Sequence, residues 1–127
     1  MRQDAPMDEL VQWLRAQLDE DERIARAATP GPWEQSGIGE YGWGVSFGRA
    51  GAGVEAEDSD QGRADADHIA EHDPARVLRE IDAKRRILAD AAEYQPGMYG
   101  YPEMKDVLRL LALPYAGKPG YRASWRR

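Results

Sequence analysis

Residues 64–92, ADADHIAEHDPARVLREIDAKRRILADAA, constrain the fold more than any other part of the chain. This is the longest helix-compatible run, it holds both histidines, His68 and His72, and it is interrupted once, by Asp73-Pro74. Proline has no N–H to donate and disfavours helical backbone at the residue before it, so the run predicts two helices meeting at a corner. Asp73 is a good N-cap and Pro74 suits a first helical turn. The first helix is expected from about Arg63 to Glu71. On the second, Val77, Leu78, Ile81, Leu88 and Ala92 are expected to face a core, with Arg76, Arg79, Lys84, Arg85 and Arg86 outward.

Upstream, Asp4-Ala5-Pro6 reads as a helix start, with Asp8 and Glu9 at the positive end of the helix dipole. Met7, Leu10, Val11, Leu14, Leu18, Ala25 and Ala28 recur at helical spacing as one apolar stripe, widened by Trp13 and Ile24. Thr29-Pro30-Gly31-Pro32 stops that helix. Trp33 is expected to open an extended path as its first inward strand residue. From Tyr41 to Phe47 the large residues Tyr41, Trp43, Val45 and Phe47 alternate with Gly42, Gly44 and Ser46, the period-two pattern of a strand with one nearly bare face. Arg49 to Gly53 reads as a hairpin connection, with Val54 to Glu57 returning. Pro102 opens a last helix whose buried set is Met104, Val107, Leu108 and Leu111, broadened by Leu110 and Leu113, and Pro114 ends it.

The fold class that follows is α+β: a long N-terminal helix, a small antiparallel sheet of two or three strands, a helix-corner-helix at Asp73-Pro74, and a C-terminal helix with an irregular aromatic tail. At 127 residues a single domain is expected over 1–127, with residues 114–127 as its C-terminal tail.

Charge narrows the partners. Residues 1–95 carry 11 Lys and Arg against 21 Asp and Glu, while residues 96–127 carry 6 against 2. An acidic body disfavours nucleic-acid binding, which needs basic side chains against phosphate. No apolar run approaches the roughly 20 residues of a membrane span. With no cysteine and no signal-peptide pattern, a cytoplasmic location is expected. A protein partner is expected, and a homo-oligomer is compatible with the sequence.

Motifs for chemistry are sparse. Gly37-x-Gly39-x-x-Gly42 has the letters of a dinucleotide fingerprint, but a proline break precedes it and a strand follows, so no helix N-terminus meets a phosphate. His68-x-x-x-His72 has metal-ligand spacing, with Asp65 one turn upstream. Two histidines without cysteine supply few strong ligands, and the corner after His72 is expected to let the imidazoles diverge. The structural reading of the pair, which is favoured, seats His68 half-buried where helix meets sheet and has His72 accepting or donating a hydrogen bond at the helix end. A ligand site is therefore sketched from Trp43, Asp65, His68 and His72, with no metal or cofactor assigned and no catalytic set. In the tail, Tyr115, Tyr121 and Trp125 beside Arg122 either pin the tail to the body or form an exposed partner-binding patch.

Three segments, MDELVQWLRAQLDEDERIARAATPGPWE, DADHIAEHDPARVLREIDAKRRIL and LRLLALPYAGKPGYRASW, together resemble an uncharacterised family of small actinobacterial proteins. That family, also met in actinophages and prophages, is classed as a domain of unknown function. The resemblance implies a start at Met7, leaving residues 1–6 as an extension. Some members of the family carry a cysteine-containing segment before the last helix, suggestive of a zinc knuckle. Here the cysteine-free YQPGMYGYPEM takes its place, which weakens a metal reading. The functional expectation is a non-catalytic interaction or accessory module. The alternative is a small-molecule binder or enzyme using the glycine-rich sheet face and His68.

Overall fold

The structure, a computed structural model, describes residues 5–126. The expected extension at 1–6 and the expected cap Asp4 therefore lie largely outside the described residues. Four α-helices and three strands follow in the order α1 (Ala5–Ala27), β1 (Glu34–Ile38), β2 (Trp43–Ser46), β3 (Gly53–Ala56), α2 (Asp60–Glu71), α3 (Pro74–Ala91) and α4 (Tyr101–Ala112). Single 3-10 turns at Leu113–Tyr115 and Ala123–Trp125 complete the chain. This is the expected α+β arrangement. Contacts divide it into two compact units, one formed by Glu22–Glu80 and the other by the residues up to Asp21 with Ile81 onward. None of the described helices is long and apolar enough to cross a membrane.

The Glu22–Glu80 unit is a helix laid on a meander. Its strands run β1-β2-β3, each antiparallel to its neighbour. Gln35 pairs with Val45 and Gly37 with Gly44, so Ser36 is an extra residue that bulges β1. Helix α2 packs on all three strands. Gln35 Nε2 donates to Asp67 Oδ1 at 3.0 Å, and the Arg63 guanidinium lies 5.0 Å from the Trp43 ring centre. Val45 and Ala66 are fully buried at the centre.

Two glycines allow this packing. A Cβ on Gly62 would overlap the Glu57 carbonyl, and one on Gly42, at φ 154°, would overlap the Ala56 carbonyl. Helix α2 begins three residues earlier than expected because Ser59 caps it, its Oγ accepting from Gly62 N at 3.0 Å.

The corner forms as predicted. His72 closes α2, its N–H donating to Ile69 O at 3.1 Å, and Asp73 caps α3, its Oδ1 accepting from Arg76 N at 2.9 Å. Asp73 Oδ2 also accepts from Trp33 N at 3.5 Å. Trp33 precedes β1 rather than opening it, and its ring stacks on Phe47 with centroids 4.3 Å apart. The second strand is shorter than the alternation implied. Tyr41 sits in a turn that closes through Gly39 N donating to Gly42 O at 2.7 Å and Tyr41 N donating to Glu55 Oε2 at 3.1 Å.

In the other unit, the first four turns of α1 bury Met7, Leu10, Val11, Leu14 and Leu18, the predicted stripe. Ile81, Leu88 and Ala91 of α3 and Leu108 and Ala112 of α4 are buried in the same unit. On α3 the buried alanine is Ala91, and the expected Ala92 is exposed.

Candidate functional site

Of the residues sketched as a ligand site, the structure brings two together. His68 and His72 stand at the end of α2 with ring centroids 4.3 Å apart and planes inclined by 34°. Both are exposed. His72 Nδ1 donates to the His68 carbonyl at 2.7 Å, because the acceptor is a carbonyl and the bond therefore requires a proton on that nitrogen. The expected divergence does not occur, since the corner comes after His72 and leaves it hydrogen-bonded to the helix. Nor is His68 half-buried against the sheet. The sheet-facing positions of α2 are Gly62, Ala66 and the half-buried pair Ile69 and Ala70, a spacing that turns residue 68 to solvent.

Asp65 is exposed one turn earlier, its Oδ1 accepting from Gln61 Nε2 at 2.9 Å. Trp43 is half-buried under Arg63. The bare glycine face becomes an open concavity of about 670 Å³ beside the β2–β3 hairpin, lined by Ser36, Gly44, Ser46, Arg49 and Glu55 among others. Trp43, Asp65, His68 and His72 are all outside its lining.

In the other unit the tail is docked. Tyr115 is 7% and Trp125 6% exposed, and Tyr121 is half-buried. Trp13 is the shared ring, with Tyr115, Tyr121 and Trp125 at centroid distances of 6.2, 5.8 and 5.2 Å. Arg122 Nη1 reaches Glu9 Oε2 at 2.8 Å. Tyr115 donates its hydroxyl to Asp21 Oδ2 at 2.6 Å. Burial, then that bond and the carboxylate charge, raises the phenol pKa well above its usual value. The aromatic rings of the sketched partner patch are therefore engaged within their own unit.

A different apolar surface is open. Val107, Leu110 and Leu113 are 38%, 51% and 42% exposed, at intervals of three along α4 and the turn that follows. Met98 and the fully exposed Tyr99 lie in the segment leading into α4. Val107 was expected in the core, with Leu110 and Leu113 broadening the buried set. The signal was present: α4 has apolar residues around too much of its circumference for one buried stripe, and its buried positions are Leu108 and Ala112. A cleft of about 160 Å³ lined by Val11, Arg15, Ala91, Tyr94 and Tyr101 is too small for a drug-sized ligand.

A family model described as a family of unknown function, DUF6221, matches residues 7–127. The chain belongs to the DUF6221 family. The DUF6221 match begins at Met7 in the first turn of the buried stripe and takes in both units, the histidine pair and the α4 surface. No curated protein matched the chain, and no solved structure matched it.

Proposed function

We propose that this DUF6221 chain is a non-catalytic interaction module, an accessory protein of actinobacterial or phage type that works in the cytoplasm as one domain. The observation that carries this reading is the exposed stripe Val107, Leu110 and Leu113, with Met98 and Tyr99 close by in sequence. Large side chains left in water on one face of a helix mark a surface that gains by being covered. The surrounding segment is basic, with 6 Lys and Arg against 2 Asp and Glu over residues 96–127. The partner chemistry that fits is an acidic amphipathic protein segment, its apolar face on the stripe and its carboxylates matched to the net positive charge of this segment.

The test is Leu110→Glu in the full chain. Because Leu110 is half in water, the variant should fold and melt like wild type. A partner recovered by wild type, lost by the variant and weakened by salt supports the reading. A partner list unchanged by Leu110→Glu overturns it, and a dimer that the variant dissociates would put a second copy on this face instead. The small-molecule reading at the glycine-rich face has less support, because His68 lies outside that concavity.

A further inference from the structure

We infer that His68 and His72 form a two-imidazole binding site for a divalent transition-metal ion of the copper, nickel and zinc class. The site lies on α2, away in sequence from α4, so the inference does not rest on the interaction reading.

Three observations carry it. First, the rings are already adjacent, with centroids 4.3 Å apart. A shared ion needs its two ligand nitrogens within about 4 Å of each other, twice a metal–nitrogen bond, and small rotations of exposed rings can meet that. Second, the hydrogen bond from His72 Nδ1 to the His68 carbonyl fixes the tautomer. The proton sits on Nδ1, so the lone pair is on Nε2, free to coordinate. A ligating histidine characteristically donates its other ring N–H to a carbonyl or carboxylate in this way.

Third, the local field favours a cation. The pair ends α2, where the helix dipole is negative. The helix itself carries Asp60, Asp65, Asp67 and Glu71 against Arg63 alone. A positive group also lies close by: Arg76 pairs with Glu71 at 3.7 Å and donates to its carbonyl at 2.9 Å.

His72 has a capping role, its Nδ1 bonded to a last-turn carbonyl of α2, but that role leaves Nε2 unused, and the exposed His68 ring lies beside it. Neither fills the core, and alanine would be the better helix former at position 68. Among the described residues no third His, Cys, Asp or Glu completes a ligand group. Water therefore fills the remaining positions, which makes the site exchangeable. Imidazole ligands and the usual divalent order put copper(II) tightest, ahead of zinc and well ahead of manganese.

The experiment titrates the untagged full chain with copper(II) and, separately, zinc at neutral pH, by calorimetry, with copper electron paramagnetic resonance as a second readout. The expected result is one ion per chain with a two-nitrogen signature. Altering a mere outer-shell partner of a metal ligand costs roughly 10–100-fold in affinity. Removing a ligand, as His68→Ala or His72→Ala does, should therefore raise the dissociation constant by at least about tenfold, with circular dichroism unchanged. No saturable binding below about 1 mM would overturn the inference, as would binding that either variant leaves intact.

Discussion

The indole Nε1 of Trp13 donates to the Pro119 carbonyl at 3.1 Å, joining α1 to a residue 106 positions later. Around this bond Tyr115, Tyr121 and Trp125 pack against the same ring, with Tyr121 and Trp125 edge-on to each other at 5.7 Å. Aromatic contacts of this geometry contribute about 0.5–1.5 kcal/mol each beyond the area they bury. Trp13 thus fastens the tail by one hydrogen bond and three ring contacts. Trp13→Ala is expected to destabilise by about 3 kcal/mol, the low end for a tryptophan because the ring is only half-buried. Trp13→Phe keeps a ring and loses the donor, which should cost about 1 kcal/mol. Urea denaturation of both variants checks this. Equal losses would show that the ring contributes nothing beyond its hydrogen bond.

Tyr115 makes the protein sensitive to alkali. Its folded-state pKa is raised by burial and by Asp21, so the folded chain holds the phenolic proton more firmly than the unfolded chain does. Its contribution is complete below about pH 10, the unperturbed tyrosine value. Above that the unfolded chain loses a proton the folded chain keeps, and stability falls as the pH climbs toward the raised folded value. Tyr115→Phe should lose about 1 kcal/mol at neutral pH and flatten this alkaline fall. Denaturation measured on both sides of pH 10 decides the matter. An equally steep fall in the variant would assign the titration to another group.

What could be read from the sequence divides along local and distant causes. The α1 stripe was legible because Met7, Leu10, Val11, Leu14 and Leu18 repeat at one period with little to compete. The corner was legible because Asp73 and Pro74 act on their own backbone. Strand β1 was legible in its place, starting one residue after the expected Trp33, but its register and bulge were not, since EQSGI has no alternation of large apolar residues and pairs irregularly with Val45 and Gly44 across the sheet. Tyr41 was misplaced for a similar reason, because its turn is held by Glu55, 14 residues away. His68 and the outer face of α4 turn on small rotations of a helix about its axis. Periodicity places apolar residues on a face, but it cannot say which of two overlapping faces is covered.

Gly62 marks the tightest approach in the sheet-and-helix unit. Its hydrogen stands where a methyl group would overlap the Glu57 carbonyl, a backbone atom that cannot swing aside. Its own N–H donates to the Ser59 cap, so the helix start has little freedom to shift. In an open helix Gly→Ala would gain about 0.4–1 kcal/mol. Here the overlap should reverse the sign and cost at least about 2 kcal/mol, in the range for overpacking a buried site. A thermal melt of Gly62→Ala checks the direction. A rise in melting temperature would mean that the Ser59–Gly62 turn is looser than its geometry.

Asp73 tests the corner itself. One carboxylate oxygen accepts from Arg76 N at 2.9 Å and caps α3, while the other accepts from Trp33 N at 3.5 Å. The first bond has good capping geometry and the second is at the limit of a hydrogen bond. Asp73→Ala removes both acceptors and should cost about 1–2 kcal/mol, as for other N-caps. Asp73→Asn keeps one acceptor oxygen and loses the charge at the helix N-terminus, worth about 0.3–1 kcal/mol. If the cap is the main contribution, asparagine falls close to wild type and alanine far below it. If the long bond to Trp33 matters equally, asparagine falls midway, because its amide oxygen cannot serve both partners in their present places. The distances favour the first outcome, with Asp73→Asn within about 0.5–1 kcal/mol of wild type in urea denaturation.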